Sequence, residues 1–249
     1  PAASHPVNGL RPTRILDSLG PRQRRAVRRA TVLTALLPLT TVLAVKLVAI
    51  TRDVVVNAYG IAVLASTMAV FYIAFTRYED PSRSAIDVDY APTVTCLVAV
   101  HNDEAVIGPC VRSLLASDYP HLDVVVVDDA SDDGTAAALA QMAAEPRVTL
   151  LSMPRNVGKK RALVAGVRRA RGELLVFTDS DCVVAPDAVS RVVAAFSAHP
   201  NLGAVSGHAR ALNADANLLT RIQDVWYDGQ FGVAKAAEAT FGSVTCVSG

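Results

Sequence analysis

Short apolar segments alternate with helical segments over residues 93–206, and this alternation restricts the fold more than any other feature of the chain. The sequence predicts strands over 93–100, 122–127, 148–151, 174–177 and 203–206, and helices over 104–117, 134–144, 159–171 and 188–196. Repeated strand–helix units are typical of a parallel sheet covered by helices. The four valines at 124–127 favour a strand buried on both faces. The predicted fold class is therefore α/β with a mainly parallel sheet.

The end of the chain departs from this alternation. A long amphipathic helix is predicted over 217–241, followed by a strand over 243–248 that contains Cys246. Trp226 and Tyr227 are adjacent on the helix, which is compatible either with a membrane interface or with packing onto the sheet.

Polar residues directly follow four of the predicted strands. They form the segments 101–104, 128–134, 155–160 and 179–181. The carboxyl ends of parallel strands share one edge of the sheet, where open α/β sheets bind their ligands. Four polar strand ends in succession therefore predict a ligand site at that edge.

Asp179 and Asp181 give the clearest indication of chemistry within this set. Alternate residues of an extended segment face the same way, so the two carboxylates should point to one side. Neighbouring carboxylates repel each other unless a cation or a proton lies between them. A hard divalent cation that also binds phosphate is the simplest partner, and a surface turn is the alternative, since Asp and Ser are common turn residues.

Lys159 lies where a loop becomes a helix, so a bound diphosphate would meet its ammonium group and the free N–H groups of the helix. Asp128 and Asp129 can cap the following helix or accept the N3–H of a uracil ring, and each residue can take one of these roles. A dinucleotide site is disfavoured because no Gly-x-Gly-x-x-Gly is present. A P-loop is disfavoured because Met153 stands five residues before Gly158 and neither Ser nor Thr follows Lys159.

Two apolar runs, 31–50 and 54–76, precede this domain, and each is long enough to cross about 30 Å of hydrocarbon. The apolar content of 51% and the mean hydropathy of +0.33 agree with membrane segments. Only 51–53 separate the runs, which predicts a transmembrane hairpin. Seven arginines against one acid over 1–30 place both ends of the hairpin in the cytoplasm by the positive-inside rule. Two buried helices of a soluble core are the alternative.

The predicted organisation has a basic cytoplasmic tail, two transmembrane helices, a linker and an α/β domain, over 1–30, 31–76, 77–91 and 92–249. The last of these carries 13 basic and 17 acidic side chains and is therefore not a basic domain. The basic tail is better explained by membrane orientation, because the two apolar runs follow it, and no nucleic-acid partner is expected. The four cysteines contain no Cys-x-x-Cys pair and predict neither a zinc site nor a disulfide framework.

Together these motifs resemble the family 2 inverting glycosyltransferases of the GT-A fold. The matching segments are Asn102-Asp103-Glu104, Val127-Asp128-Asp129-Ala130-Ser131, Asn156-Val157-Gly158-Lys159-Lys160-Arg161 and Asp179-Ser180-Asp181. The segments 223–233 and 241–249 look especially like the hyaluronan and chitin-oligosaccharide synthases, a branch of membrane-embedded processive enzymes. The resemblance covers about 92–249.

The resemblance implies a site for a UDP-sugar donor and a metal ion. The implied donor-binding residues are His101, Asn102, Glu104, Asp128, Asp129, Lys159 and Asp179. Asp129 would contact the uridine and Lys159 the diphosphate, while Asp179 and Asp181 would hold Mg²⁺ or Mn²⁺. Cys246 would lie on the acceptor side. His101 departs from the pattern, because many relatives carry Tyr or Phe at this position.

The resemblance also implies displacement at the anomeric carbon of the sugar by a hydroxyl of a polysaccharide acceptor, with departing UDP stabilised electrostatically. The general base is expected beyond Gly249, so this segment is expected to bind UDP with metal without polymerising sugar alone. A multi-pass plasma-membrane enzyme with a cytoplasmic transferase domain is expected, with the lipid bilayer as a partner. The rivals are another family 2 enzyme, such as a poly-N-acetylglucosamine synthase, and a non-catalytic membrane protein that binds a nucleotide.

Overall fold

The computed structural model describes residues 37, 40–44, 54–83 and 89–242. The helices are α1 (Val54–Thr76), α2 (Ile107–Leu115), α3 (Thr135–Ala140), α4 (Lys159–Val167), α5 (Ala188–Ala198), α6 (Leu218–Gly229) and α7 (Lys235–Ala239), with a 3₁₀ turn at Pro81–Arg83 and a π-helical turn at Gln230–Ala234. The strands are β1 (Val94–Val100), β2 (Leu122–Asp128), β3 (Val148–Ser152) and β4 (Leu174–Asp179). The chain divides into two compact units, one formed by 79–208 and the other combining α1 with 209–242.

The four described strands form one sheet in the order β3-β2-β1-β4, and all three neighbouring pairs are parallel. The predicted α/β fold with a mainly parallel sheet is thereby confirmed. Strand β1 lies in the middle, with β2 and β3 on one side and β4 on the other. The chain therefore reverses its direction of progress across the sheet after β3.

The hydrophobic core of the unit formed by 79–208 lies on both faces of β1 and β2. Val124 and Val126 pack in one apolar cluster with residues of α2 and α5, whereas Val125 and Val127 pack in a second cluster with Ala162 of α4. All seven residues of β1 are buried. Alternate side chains of a strand point to opposite faces of the sheet. The two clusters therefore confirm the prediction that the run of valines is buried on both faces.

Several predicted boundaries were wrong. Within the described part of the chain, residues 203–206 form no strand, and each of them is exposed or half-buried. Helix α2 begins at Ile107 instead of the predicted 104, because the Asp103 carbonyl accepts from the Val106 and Ile107 N–H groups in a tight turn. The C-terminal ends of the four predicted helices of the α/β domain differ from the observed ends by two to four residues, and β2 and β4 continue into Asp128 and Asp179. The strand predicted over 243–248 lies outside the described residues.

Helix α1 covers the second predicted membrane run over its full predicted length of 54–76. Within the described part of the chain, one helix is long and apolar enough to cross a membrane by length and composition. Of the first run only 37 and 40–44 are described, and these are helical. The two-helix hairpin therefore stays a prediction.

The second unit joins α1 to the C-terminal helices through small side chains. Ala74 of α1 packs with Ala236 and Ala237 of α7. Five apolar side chains of α6 are exposed, namely Leu218, Leu219, Ile222, Val225 and Trp226. Both interpretations of this helix face, packing onto the sheet and a membrane interface, stay predictions.

Candidate functional site

The strand register gathers the predicted polar ends at one edge of the sheet. Val100 of β1 is paired with Asp128 of β2, and Ala99 of β1 with Asp179 of β4. Since neighbouring strands lie about 4.8 Å apart, residues that end β2 and β4 flank the end of β1 on either side. This edge is also where the strand order reverses, which is the usual position of a ligand site in an open α/β sheet.

A cavity of about 280 Å³ opens at this edge. It is lined by Ala99, Val100, His101, Asp103, Asp129, Lys159, Asp179, Ser180 and Asp181. Five of the predicted site residues are among them: His101, Asp129, Lys159, Asp179 and Asp181. The structure thus brings together residues that are up to 80 positions apart in the sequence, whereas Asn102, Glu104 and Asp128 do not line the cavity.

The Asp129 carboxylate fixes the loop that leads into α4. Its oxygens accept the backbone N–H groups of Val157 at 2.8 Å and of Gly158 at 2.7 Å, and the residue is only 3% exposed. Gly158 has a φ of +87°, a left-handed backbone that suits glycine. Because Gly158 immediately precedes α4, these bonds determine where the helix and its first residue, Lys159, begin.

The Lys159 ammonium forms an ion pair with the Asp179 carboxylate. The two side chains are 53% and 40% exposed, so the pair lies at the mouth of the cavity and is partly screened by solvent. Lys159 therefore points toward the acidic strand end, where the sequence placed a diphosphate.

Asp103 and Ser180 are site residues that the sequence reasoning missed. The Ser180 hydroxyl donates to the Asp103 carboxylate at 2.5 Å, which joins the segment after β1 to the Asp-Ser-Asp segment after β4. The Cys110 thiol lies 3.4 Å from the Asp179 carbonyl oxygen and supports the same turn. Asp103 belonged to a polar strand end recognised in the sequence, but its spacing alone did not distinguish it from Asn102 and Glu104.

The three predicted residues outside the cavity fasten its loops together. Asn102, at a φ of 57°, exchanges two hydrogen bonds with Asp132, and the Glu104 carboxylate accepts the Gly134 N–H at 2.7 Å. The Asp128 carboxylate accepts the N–H and the hydroxyl of Ser131 at 3.0 and 2.6 Å. Asp128 thus closes a turn while Asp129 faces the cavity, and donor binding by Asn102, Glu104 and Asp128 stays a prediction.

The charges of the cavity are strongly unbalanced. Four carboxylates, those of Asp103, Asp129, Asp179 and Asp181, line it with one lysine. Burial, with additional repulsion from nearby anionic groups including Asp181 and Asp179, raises the pKa of the Cys110 thiol to about 12. A site of this composition favours cations and keeps neighbouring thiols neutral.

A hard divalent cation fits this donor set. Among the described residues, no three or more His, Cys, Asp or Glu side chains lie together in a way that could hold a metal ion by themselves. Mg²⁺ is commonly held by one or two carboxylates together with substrate phosphates and water, so Asp179 and Asp181 supply a sufficient protein contribution. Cys246, predicted on the acceptor side, lies outside the described residues.

A known protein family matches this chain. The family described as "Glycosyl transferase family 2" matches residues 95–236, more than half of the chain. The matched range contains every residue that lines the acidic cavity. With the parallel sheet, the match confirms the GT-A-like α/β fold that the resemblance implied.

Two curated relatives carry names that mention N-acetylglucosamine. An N-acetylglucosaminyltransferase of Mesorhizobium japonicum is 32% identical over 187 residues, which cover 74% of this chain and 44% of the relative. A poly-beta-1,6-N-acetyl-D-glucosamine synthase of Staphylococcus aureus is 29% identical over 181 residues, which cover 72% and 44%. This chain therefore spans under half of the length of these relatives.

A solved structure is also similar to this chain. A mannosyltransferase of Pyrobaculum calidifontis, in complex with GDP-Man and Mn²⁺, is 32% identical, and the match covers 61% of this chain and 48% of that one. The TM-score is 0.47, and at this value the likeness adds nothing to the assignment.

Proposed function

The chain belongs to glycosyl transferase family 2, and we propose that it takes N-acetylglucosamine from a UDP-linked donor and adds it, with inversion, to a growing β-linked glycan. The names of the two curated relatives support this sugar. Neither name mentions hyaluronan, so the hyaluronan-like product expected from the sequence is not carried into the proposal. The glycan linkage is left open between the chitin type and the β-1,6 type.

The observation that supports the donor site is the acidic cavity with its single lysine at the edge where the strand order reverses. Asp129 lies on the β2 side of this edge and Asp179 on the β4 side. The proposal assigns the uracil to the Asp129 side and the diphosphate to the space between Lys159 and Asp179. Asp179 and Asp181 would hold Mg²⁺ or Mn²⁺ there.

The residues of the chain would act on the leaving group. Negative charge grows on the diphosphate as the bond to the anomeric carbon breaks, and the Lys159 ammonium is placed to stabilise that charge. A bound divalent cation would supply the same electrostatic stabilisation more strongly. The general base for the acceptor hydroxyl is proposed to follow Gly249, as the resemblance implies.

The bilayer is proposed as a partner of the second unit. Helix α1 exposes Tyr59, Val63 and Tyr72. Helix α6 exposes Trp226 together with the four aliphatic side chains named above. Tyrosine and tryptophan are enriched at membrane–water interfaces. The proposal keeps the plasma-membrane, multi-pass location and the cytoplasmic donor site that the sequence predicted.

The donor site is tested by titrating UDP into the full chain in detergent micelles, with and without Mn²⁺. Asp181→Ala should weaken Mn²⁺-dependent UDP binding by about tenfold or more, because it removes a proposed charged contact to the cation. The matched control is Asp215→Ala, since Asp215 is exposed and does not line the cavity. Unchanged binding in Asp181→Ala would refute the metal assignment.

Donor choice is tested in the same titration. UDP-N-acetylglucosamine should compete for the site more strongly than UDP-glucuronic acid or GDP-mannose. Preference for the glucuronic acid donor would favour a hyaluronan-type enzyme over the proposed one. If UDP and the UDP-linked sugars bind with equal affinity, the result would favour the rival class, a membrane protein that only binds a nucleotide.

A further inference from the structure

The Lys159–Asp179 ion pair holds a position that the proposed cation also needs. Two of the four cavity carboxylates already serve protein donors, because Asp129 accepts two backbone N–H groups and Asp103 accepts the Ser180 hydroxyl. Asp179 and Asp181 therefore remain as the carboxylates best placed for a cation. Of these two, Asp179 is paired with Lys159.

Lys159 can reach Asp179 because its backbone is held in place. Asp129 fixes the Gly158 N–H at 2.7 Å, and Lys159 is the next residue and the first of α4. Asp179 is the last residue of β4, so its backbone is fixed by the sheet. The lysine side chain is 53% exposed, so it has room to adopt another rotamer.

We propose that Lys159 is a tethered counter-ion that keeps a divalent cation off Asp179 until a nucleoside diphosphate is present, so that cation and nucleotide bind together. This inference rests on the proposed donor site. A divalent cation bound to Asp179 would be repelled by an ammonium group that shares the same carboxylate. A diphosphate removes the conflict, because it offers the ammonium new oxygen acceptors and adds its own oxygens to the cation.

The consequence is a thermodynamic coupling between the two ligands. If the nucleotide raises the affinity for the cation, the cation raises the affinity for the nucleotide by the same factor. The coupling arises from one side chain that is attracted to Asp179 in one state and to phosphate in the other. If Lys159 served only as a phosphate ligand, removal of its ammonium group would leave cation binding in the absence of nucleotide unchanged.

The test is a titration of the full chain in detergent with Mn²⁺, in which electron paramagnetic resonance measures free Mn²⁺ with and without saturating UDP. Lys159→Met should bind Mn²⁺ alone about threefold or more tightly than the wild type, the scale of a partly exposed ion pair. The enhancement of Mn²⁺ binding by UDP should fall by at least the same factor. Lys160→Met is the matched control, because Lys160 is also exposed on α4 and does not line the cavity, and it should behave as the wild type.

The possible outcomes separate this inference from the proposed function. If Lys159→Met binds Mn²⁺ alone no more tightly than the wild type, while Asp181→Ala still weakens Mn²⁺-dependent UDP binding, the counter-ion role is wrong and the donor site stands. If the wild type shows no UDP-dependent Mn²⁺ binding, both are wrong. A circular dichroism spectrum like that of the wild type confirms that each variant is folded.

Discussion

The Asp129 carboxylate is the feature whose loss should loosen the site loop while leaving the sheet intact. Its oxygens accept the Val157 and Gly158 N–H groups at 2.8 and 2.7 Å. In Asp129→Asn the side chain keeps its volume but turns an –NH₂ group toward one of these donors, so one hydrogen bond is lost. A hydrogen bond to a charged group contributes about 1.5–3 kcal/mol.

This loss should appear as faster local opening. Since about 1.4 kcal/mol corresponds to a factor of ten, exchange of the loop amides should become about 10- to 100-fold faster. Gly158 N–H also donates to the Asn156 side chain at 3.1 Å, so the larger change is expected at Val157. The assay is amide hydrogen exchange with mass spectrometry on peptides that cover 155–160, with UDP affinity measured in parallel.

The neighbouring residue provides the control. Asp128 is buried like Asp129, but its carboxylate accepts from Ser131 at 3.0 and 2.6 Å. Asp128→Asn should therefore accelerate exchange at Ser131 and leave Val157 unchanged. Exchange at Val157 that stays at the wild-type rate in Asp129→Asn would refute the role of this carboxylate in holding the loop.

Two further predictions concern the packing of the α/β unit. A Cβ at Gly172 would lie 2.4 Å from the Thr95 backbone nitrogen, so Gly172→Ala should lower the free energy of unfolding by about 1–3 kcal/mol. Gly203→Ala, whose Cβ meets nothing within 4 Å, should change it by less than about 0.5 kcal/mol, and equal effects in urea unfolding would contradict this. Burial raises the pKa of the Cys96 and Cys110 thiols from 9.0 to about 12. The stability linked to these neutral thiols is present below pH 9 and is lost as the pH rises toward 12, so the unfolding temperature should fall over this range, and less steeply in Cys110→Ala.

Asp128 and Asp179 could be predicted from the sequence because each follows a predicted apolar strand within two residues. They are the last residues of β2 and β4, one and two positions beyond the predicted strand ends. The strand register then determines their place at the sheet edge. Local pattern and parallel topology were sufficient for this part of the site.

The partners of these carboxylates could not be predicted, because they depend on distant loop contacts. Asp103 and Ser180 are 77 residues apart, and their hydrogen bond follows from the way two loops meet. Asn102 and Ala130 both adopt a φ of 57°, although neither is glycine, so no residue type marked these turns. The resemblance implied donor binding by Asn102 and Glu104, which stays a prediction, and the structure adds that their side chains hold the loops together.

The Lys159–Asp179 pair follows from the βαβ topology itself. A helix that connects two parallel strands begins at the edge where the first strand ends, and the second strand ends at that same edge. Lys159 is the first residue of α4 and Asp179 the last of β4, so a segment of 20 residues leaves this edge and returns to it. A strand shifted by one residue would turn the Asp179 carboxylate to the other face of the sheet. The ion pair is thus determined by the sheet register and the start of the crossover helix.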